Sequence, residues 1–161
     1  MMVLSDVVEF VIAPGLKLLP EKMTSPAAIA LLLAIGLQES RFTHRRQVNG
    51  PARGFYQFEQ GGGVVGVLHH WQTSGIIRGI LDRLEYDYSA MSSHTAIENN
   101  DTLATVYARL LLWTLPGSLP GRHEDEKAWG QYLAAWRPGR PHRETWNAFY
   151  SQAWGCVAHY S

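Results

Sequence analysis

Apolar residues along this chain recur mostly at helical spacing, and the places where that spacing fails divide it into segments. Val3, Val7, Phe10 and Val11 share one stripe, which predicts a helix from Val3 to Leu19. Ala13-Pro14-Gly15 is expected to kink or break it, because Pro lacks an amide donor and Gly loosens the backbone. Ser25-Pro26 reads as a helix start: Ser caps free amides, and Pro is tolerated at the first helical position. The residues that follow, AAIALLLAIGL, are apolar on every face. A helix from there to about Phe42 is therefore expected to be buried all round.

Past Phe42 the pattern turns polar. Arg41, Arg45 and Arg46 cluster at the helix end, where cations are favoured, and read as solvated side chains. Asn49-Gly50 marks a turn over Val48 to Pro51. Gly54 to Glu59 alternates weakly and reads as a short strand. Gly61-Gly62-Gly63 is either a hinge or a close approach of backbone to ligand. Short helices are expected at Val64 to Trp71 and Ser74 to Tyr88, then a polar loop with one helical turn from Ser89 to Asn100. Further helices are expected from Asp101, as cap, to Leu115, from Glu124 to Trp136, and from Thr145 to Ala158. Pro116 to Gly121 is a linker, and no internal repeat is present. The chain thus reads as mainly α, one domain over residues 1–161, with a buried central helix and a small or vestigial β segment.

Composition narrows the function. At 161 residues the chain is long enough to bury roughly 70% of its unfolded surface without staples. Fourteen basic residues balance fourteen acidic ones, so there is no general field to collect nucleic acid or anionic membrane. Cys156 stands alone and reads as a small apolar residue, not as a nucleophile. His69-His70 point apart on a helix and make poor paired metal ligands, so neither a metal nor a cofactor is expected. Six Trp and seven Tyr suit a carbohydrate groove and equally suit core packing. Asp6 and Glu9 stand where a secretion signal needs positive charge, so no signal peptide is expected. The longest apolar run, Pro26 to Leu37, is too short to span a bilayer, which argues against an integral membrane protein.

Glu39 is the residue with the most chemical promise. It follows Ile35 by four positions and Leu32 by seven, so it shares their apolar stripe. Helical side chains lean backward, which would lay the carboxylate over Ile35 and the space left by Gly36. Apolar surroundings and the negative end of the helix dipole both disfavour the anion, and a carboxyl kept protonated near neutral pH is a general acid. On spacing alone, a solvated Glu at a fraying helix end is the better fit.

Two motifs in register change that balance. Glu39-Ser40-Arg41-Phe42 and Pro51-Ala52-Arg53-Gly54-Phe55-Tyr56-Gln57 resemble the Glu-Ser-x-Phe and Gly-Ala-x-Gly-Leu-Met-Gln motifs of the soluble lytic transglycosylase and goose-type lysozyme group. Pro51, Phe55 and Tyr56 depart from the pattern. Leu133-Ala134-Ala135-Trp136-Arg137-Pro138-Gly139 resembles a later Ala-Ala-Tyr-Asn-Ala-Gly motif, with Trp136 for Tyr and Arg137 for Asn. If Trp136 takes that Tyr's place, the hydroxyl that relatives hold near the acid is missing.

The resemblance implies a lysozyme-like fold and a peptidoglycan lytic transglycosylase. Glu39 would act as acid and then base, Ser40 would bind near the reacting sugar, and Gln57 with the backbone of Phe55 and Tyr56 would floor a cleft shared with Trp136. The partner would be the glycan strand of peptidoglycan. Three rival readings stay open: a hydrolytic lysozyme in which Glu59, Asp82 or Asp87 positions a water, an inactive wall-binding or virion module, and an unrelated helical interaction protein. Small size, the expected lack of a signal and the departures from bacterial relatives point to a phage-encoded protein. It would be made in the bacterial cytoplasm and reach the wall through lysis machinery or in a virion.

Overall fold

The chain enters its fold, described over residues 2–158 of a computed structural model, as one N-terminal helix made of three stretches. These are α1 (Leu4–Val7), a wider π-type segment Val8–Ile12, and α2 (Ala13–Lys17). The expected break at Pro14 does not occur. The wide π-type segment lies immediately before Pro14, where an ordinary turn would press the ring against a preceding carbonyl. Gly15 serves close packing instead, since a Cβ there would lie 2.8 Å from the Thr105 side chain.

The helix α3 (Pro26–Ser40) starts where Ser25 accepts a hydrogen bond from the Ala28 amide, 3.1 Å. Its residues from Ala30 to Leu37 are fully or almost fully buried, as an all-apolar helix requires. The chain continues with α4 (Val65–His69), α5 (Ser74–Arg83), α6 (Ala90–Ile97), α7 (Asp101–Trp113), α8 (Asp125–Trp136) and α9 (Arg143–Val157). The most extensive packing is between α3 and α9, and α7 packs on α2 and α3. One hydrophobic cluster draws side chains from α1 through α9. No helix among the described residues is long and apolar enough to cross a membrane.

Four local expectations are corrected. The polar stretch after Ser89 forms a full helix, α6, because the Ser89 hydroxyl caps the Ser92 amide at 3.0 Å. The cap of α7 is Asn100, which accepts from Leu103 N, while Asp101 is drawn into an ion pair. The helix α5 stops at Arg83, with Glu85 in the left-handed region. Gly54 to Glu59 is no strand: among the described residues β structure is limited to isolated bridges joining Arg46 to Arg53 and Arg53 to Phe58.

Candidate active site

The site begins at the C-terminal end of α3. Arg41 and Phe42 take left-handed backbone angles, φ 55° and 50°, so the chain turns sharply straight after Glu39-Ser40. Such angles cost a non-Gly residue about 1 kcal/mol or more each and persist only when packing imposes them. The imposing contact is Phe42 itself. Its ring fills the space over Gly36, where a Cβ would come within 2.0 Å, and meets Phe55 and Tyr56 edge-on. That space was expected to receive the Glu39 carboxylate; the aromatic ring occupies it instead.

Ser40 is buried, and its hydroxyl donates to the Phe55 carbonyl at 2.6 Å while accepting from the Phe42 amide at 3.1 Å. It therefore fastens the end of α3 to the second motif. Its hydroxyl is engaged as donor and acceptor away from solvent, so its part near the site is to hold the two motifs together.

The second motif is a tight turn between the paired residues Arg53 and Phe58, whose amides and carbonyls bond reciprocally at 2.9 Å. Gly54 has φ 78°, and a Cβ there would lie 2.6 Å from the Ile97 carbonyl oxygen, so only Gly fits. Gln57 also takes a left-handed angle, and its side-chain amide donates to the Gly54 carbonyl at 2.8 Å. The side chains of Phe55 and Tyr56 point into the core and are buried. Burial pushes the Tyr56 hydroxyl far above its ordinary pKa, and that hydroxyl is sealed in the core near Thr105 of α7 with no hydrogen-bond partner among the described residues. What this turn presents outward is Gln57 and backbone. The Tyr56 carbonyl is held by Trp136, whose indole Nε1 donates to it at 2.8 Å.

Of the three arginines read as solvated, Arg41 and Arg46 are exposed as expected, Arg41 lying over the Phe149 ring, but Arg45 and Arg46 are also tied into ion pairs. Arg45 makes a two-pronged ion pair with Asp101 and lies 4.2 Å from the centre of the Phe55 ring. Arg46 bonds Glu98 through two nitrogens, both at 2.9 Å. The loop is thereby tied to α6 and α7.

Glu39 receives the hydroxyl of Tyr132 on Oε1 at 2.6 Å. Tyr132 is itself wedged in a row of rings: it stacks on Trp146 (5.2 Å, 13°) and is tilted against Trp136 (6.2 Å). Burial in this aromatic setting pushes the Glu39 carboxyl up to about 7; the Tyr132 hydrogen bond opposes the rise, and the charge of Glu59 adds to it. The expectation that a hydroxyl beside Glu39 would be missing is corrected. Tyr132 lies four residues before Trp136, on the same face of α8, so the hydroxyl comes from one helical turn earlier. The sequence signal available for it was this spacing, since a Tyr at i−4 presents to the same neighbour as residue i.

Beside the acid lies a cavity of about 580 Å³ lined by Gln57, Glu59, the Gly61-Gly62-Gly63 segment, Trp136 and Arg137. The three glycines form a π-type turn, Gln60–Val64, and Gly61 and Gly62 are exposed on it. Gly63 leaves room for the Phe58 ring, 2.5 Å from where its Cβ would be. Glu39 is not in the lining of this cavity, but it feels the charge of Glu59, which is, and it is bonded to Tyr132, whose ring is tilted against the lining Trp136. Glu59 is exposed, and Asp82 and Asp87 lie away from this cavity, on or beyond α5. Among the described residues no group of His, Cys, Asp and Glu side chains could hold a metal.

Comparison with known proteins finds no matching family model, no matching curated protein and no matching solved structure.

Proposed function

We propose that the protein is a peptidoglycan lytic transglycosylase, cleaving the β-1,4 bond between N-acetylmuramic acid and N-acetylglucosamine. The observation that carries this is the half-buried Glu39 carboxyl, raised to about 7 and bonded to Tyr132, next to an open groove with Gln57 and Trp136 in its wall. In this reading Glu39 donates its proton to the glycosidic oxygen as the bond to the anomeric carbon breaks. The 6-hydroxyl of the same muramic residue then closes on that carbon, and the Glu39 carboxylate takes the hydroxyl proton. The product is a 1,6-anhydro sugar, no water is consumed, and the acid is restored. A single carboxyl is enough for this route, whereas most glycosidases need two. Delivery to the wall by lysis machinery or within a virion belongs to the same proposal.

A hydrolytic lysozyme is the second reading, and Glu59 favours it. This carboxylate lines the groove and is near enough to help hold the proton on Glu39. Mass analysis of muropeptides after digestion separates the two: an anhydro end marks the lyase, a reducing end the hydrolase. Glu39→Gln should lower either activity by roughly 10²–10⁴-fold, the contribution of general acid catalysis. Unchanged clearing of walls by that variant, or no release of muropeptides by the native protein, would remove the enzymatic reading altogether.

A further inference from the structure

A second, larger recess adjoins the groove, of about 740 Å³ and sharing His70, Thr114 and Leu115 with it. Two cations reach into it, Lys22 and Arg109, and no Asp or Glu side chain is in its lining. Both stand over the same indole: Lys22 Nζ is 5.4 Å and the Arg109 guanidinium 5.3 Å from the centre of the Trp113 ring. Arg109 is only 3% exposed, in the middle of α7. Its Nε donates to the Met23 carbonyl at 2.8 Å, the one side-chain hydrogen bond it makes among the described residues. No described carboxylate pairs with it. Burial with no counter-charge to offset it lowers its pKa to about 10.

A guanidinium largely withdrawn from water without an anion is costly to keep. Arg retains its charge here, and the Met23 carbonyl with the Trp113 face offsets only part of that cost, so the guanidinium in the wall of the recess is disposed to take an anion. Its planar fork suits two-pronged contact with carboxylate or phosphate. The rim adds flat surface, with Trp71 largely exposed and stacked on His70 at 6.0 Å.

We propose that this recess is a binding site for an oxyanion, a carboxylate or a phosphate group, held by Arg109 and Lys22 over Trp113. The site is independent of the chemistry assigned to Glu39, and its test reads binding, not cleavage. The arginine Nε–H and tryptophan indole resonances are followed by NMR while sodium phosphate or sodium acetate is added, with sodium chloride at equal ionic strength as the control. Saturable shifts of the Arg109 and Trp113 signals with one oxyanion and not with chloride support the site, and the two arms tell phosphate from carboxylate. Lys22→Glu, a change at an exposed side chain, should weaken that binding about tenfold or more. Arg109→Met should abolish it, and Glu39→Gln should leave it intact. Shifts that do not saturate, that match the chloride control, or that survive Lys22→Glu unchanged overturn the proposal.

Discussion

Replacing Glu39 by Gln should stabilise this protein above neutral pH and leave its stability unaltered in acid. The native carboxyl titrates at about 7 against an ordinary value of 4.5, chiefly because burial disfavours its charge. Below about pH 4 it is protonated in both folded and unfolded chains and contributes no pH dependence. Between 4.5 and about 7 the unfolded chain releases a proton that the folded chain still holds, so stability falls as pH rises. Above 7 the folded state carries a buried anion at a constant cost. At about 1.4 kcal/mol per pH unit, that interval amounts to about 3 kcal/mol. Gln copies the protonated acid at every pH and still accepts from the Tyr132 hydroxyl, so the variant escapes the cost. Urea denaturation of both proteins from about pH 4 to about pH 8 isolates the effect, because titrating groups that do not interact with Glu39 cancel in the difference. The gap should open from near zero to about 3 kcal/mol, or about 6–12 °C in melting temperature for a chain of this size. A difference that stays flat across that range would mean an ordinary, solvated carboxyl, and the argument for a general acid would fail with it.

Three further outcomes follow from the same geometry. Tyr132→Phe deletes a hydrogen bond that favours the Glu39 anion, so the alkaline limb of the stability profile, and of any activity profile, should move to higher pH; an unmoved limb would show that the contact does not bear on the acid. Glu59→Gln removes a neighbouring negative charge and should shift the same limb to lower pH, while muropeptide analysis of this variant tells the readings apart: persistence of the anhydro product favours the one-carboxyl lyase, and loss of activity favours the hydrolase. Gly54→Ala forces a Cβ to within 2.6 Å of the Ile97 carbonyl at a φ of 78°, and should cost about 1–3 kcal/mol in urea denaturation; a neutral result would mean that the turn relaxes easily and does not constrain Gln57.

The helical class, the buried α3 and the prominence of Glu39 were all legible in the chain, because they depend on short-range regularities. An all-apolar helix must be buried, and Glu39 stood out through its motif, whereas the poor solvent around its carboxyl comes from the rings of α8 and α9 and not from its own stripe. The Ser89 and Asn100 caps were legible in principle too, yet polar composition read as a loop when capping had in fact made it a helix. The rest needed partners far away in sequence. That Tyr132, 93 positions on, supplies the hydroxyl beside Glu39 depends on how α8 lies against α3. That Ser40, Phe55 and Tyr56 are internal supports, leaving Gln57 and Trp136 to face the groove, was decided by which side of a six-residue turn packs on Phe42. Local spacing can put a residue on a face, but only the assembled core determines whether that face meets water, another ring or an open cleft.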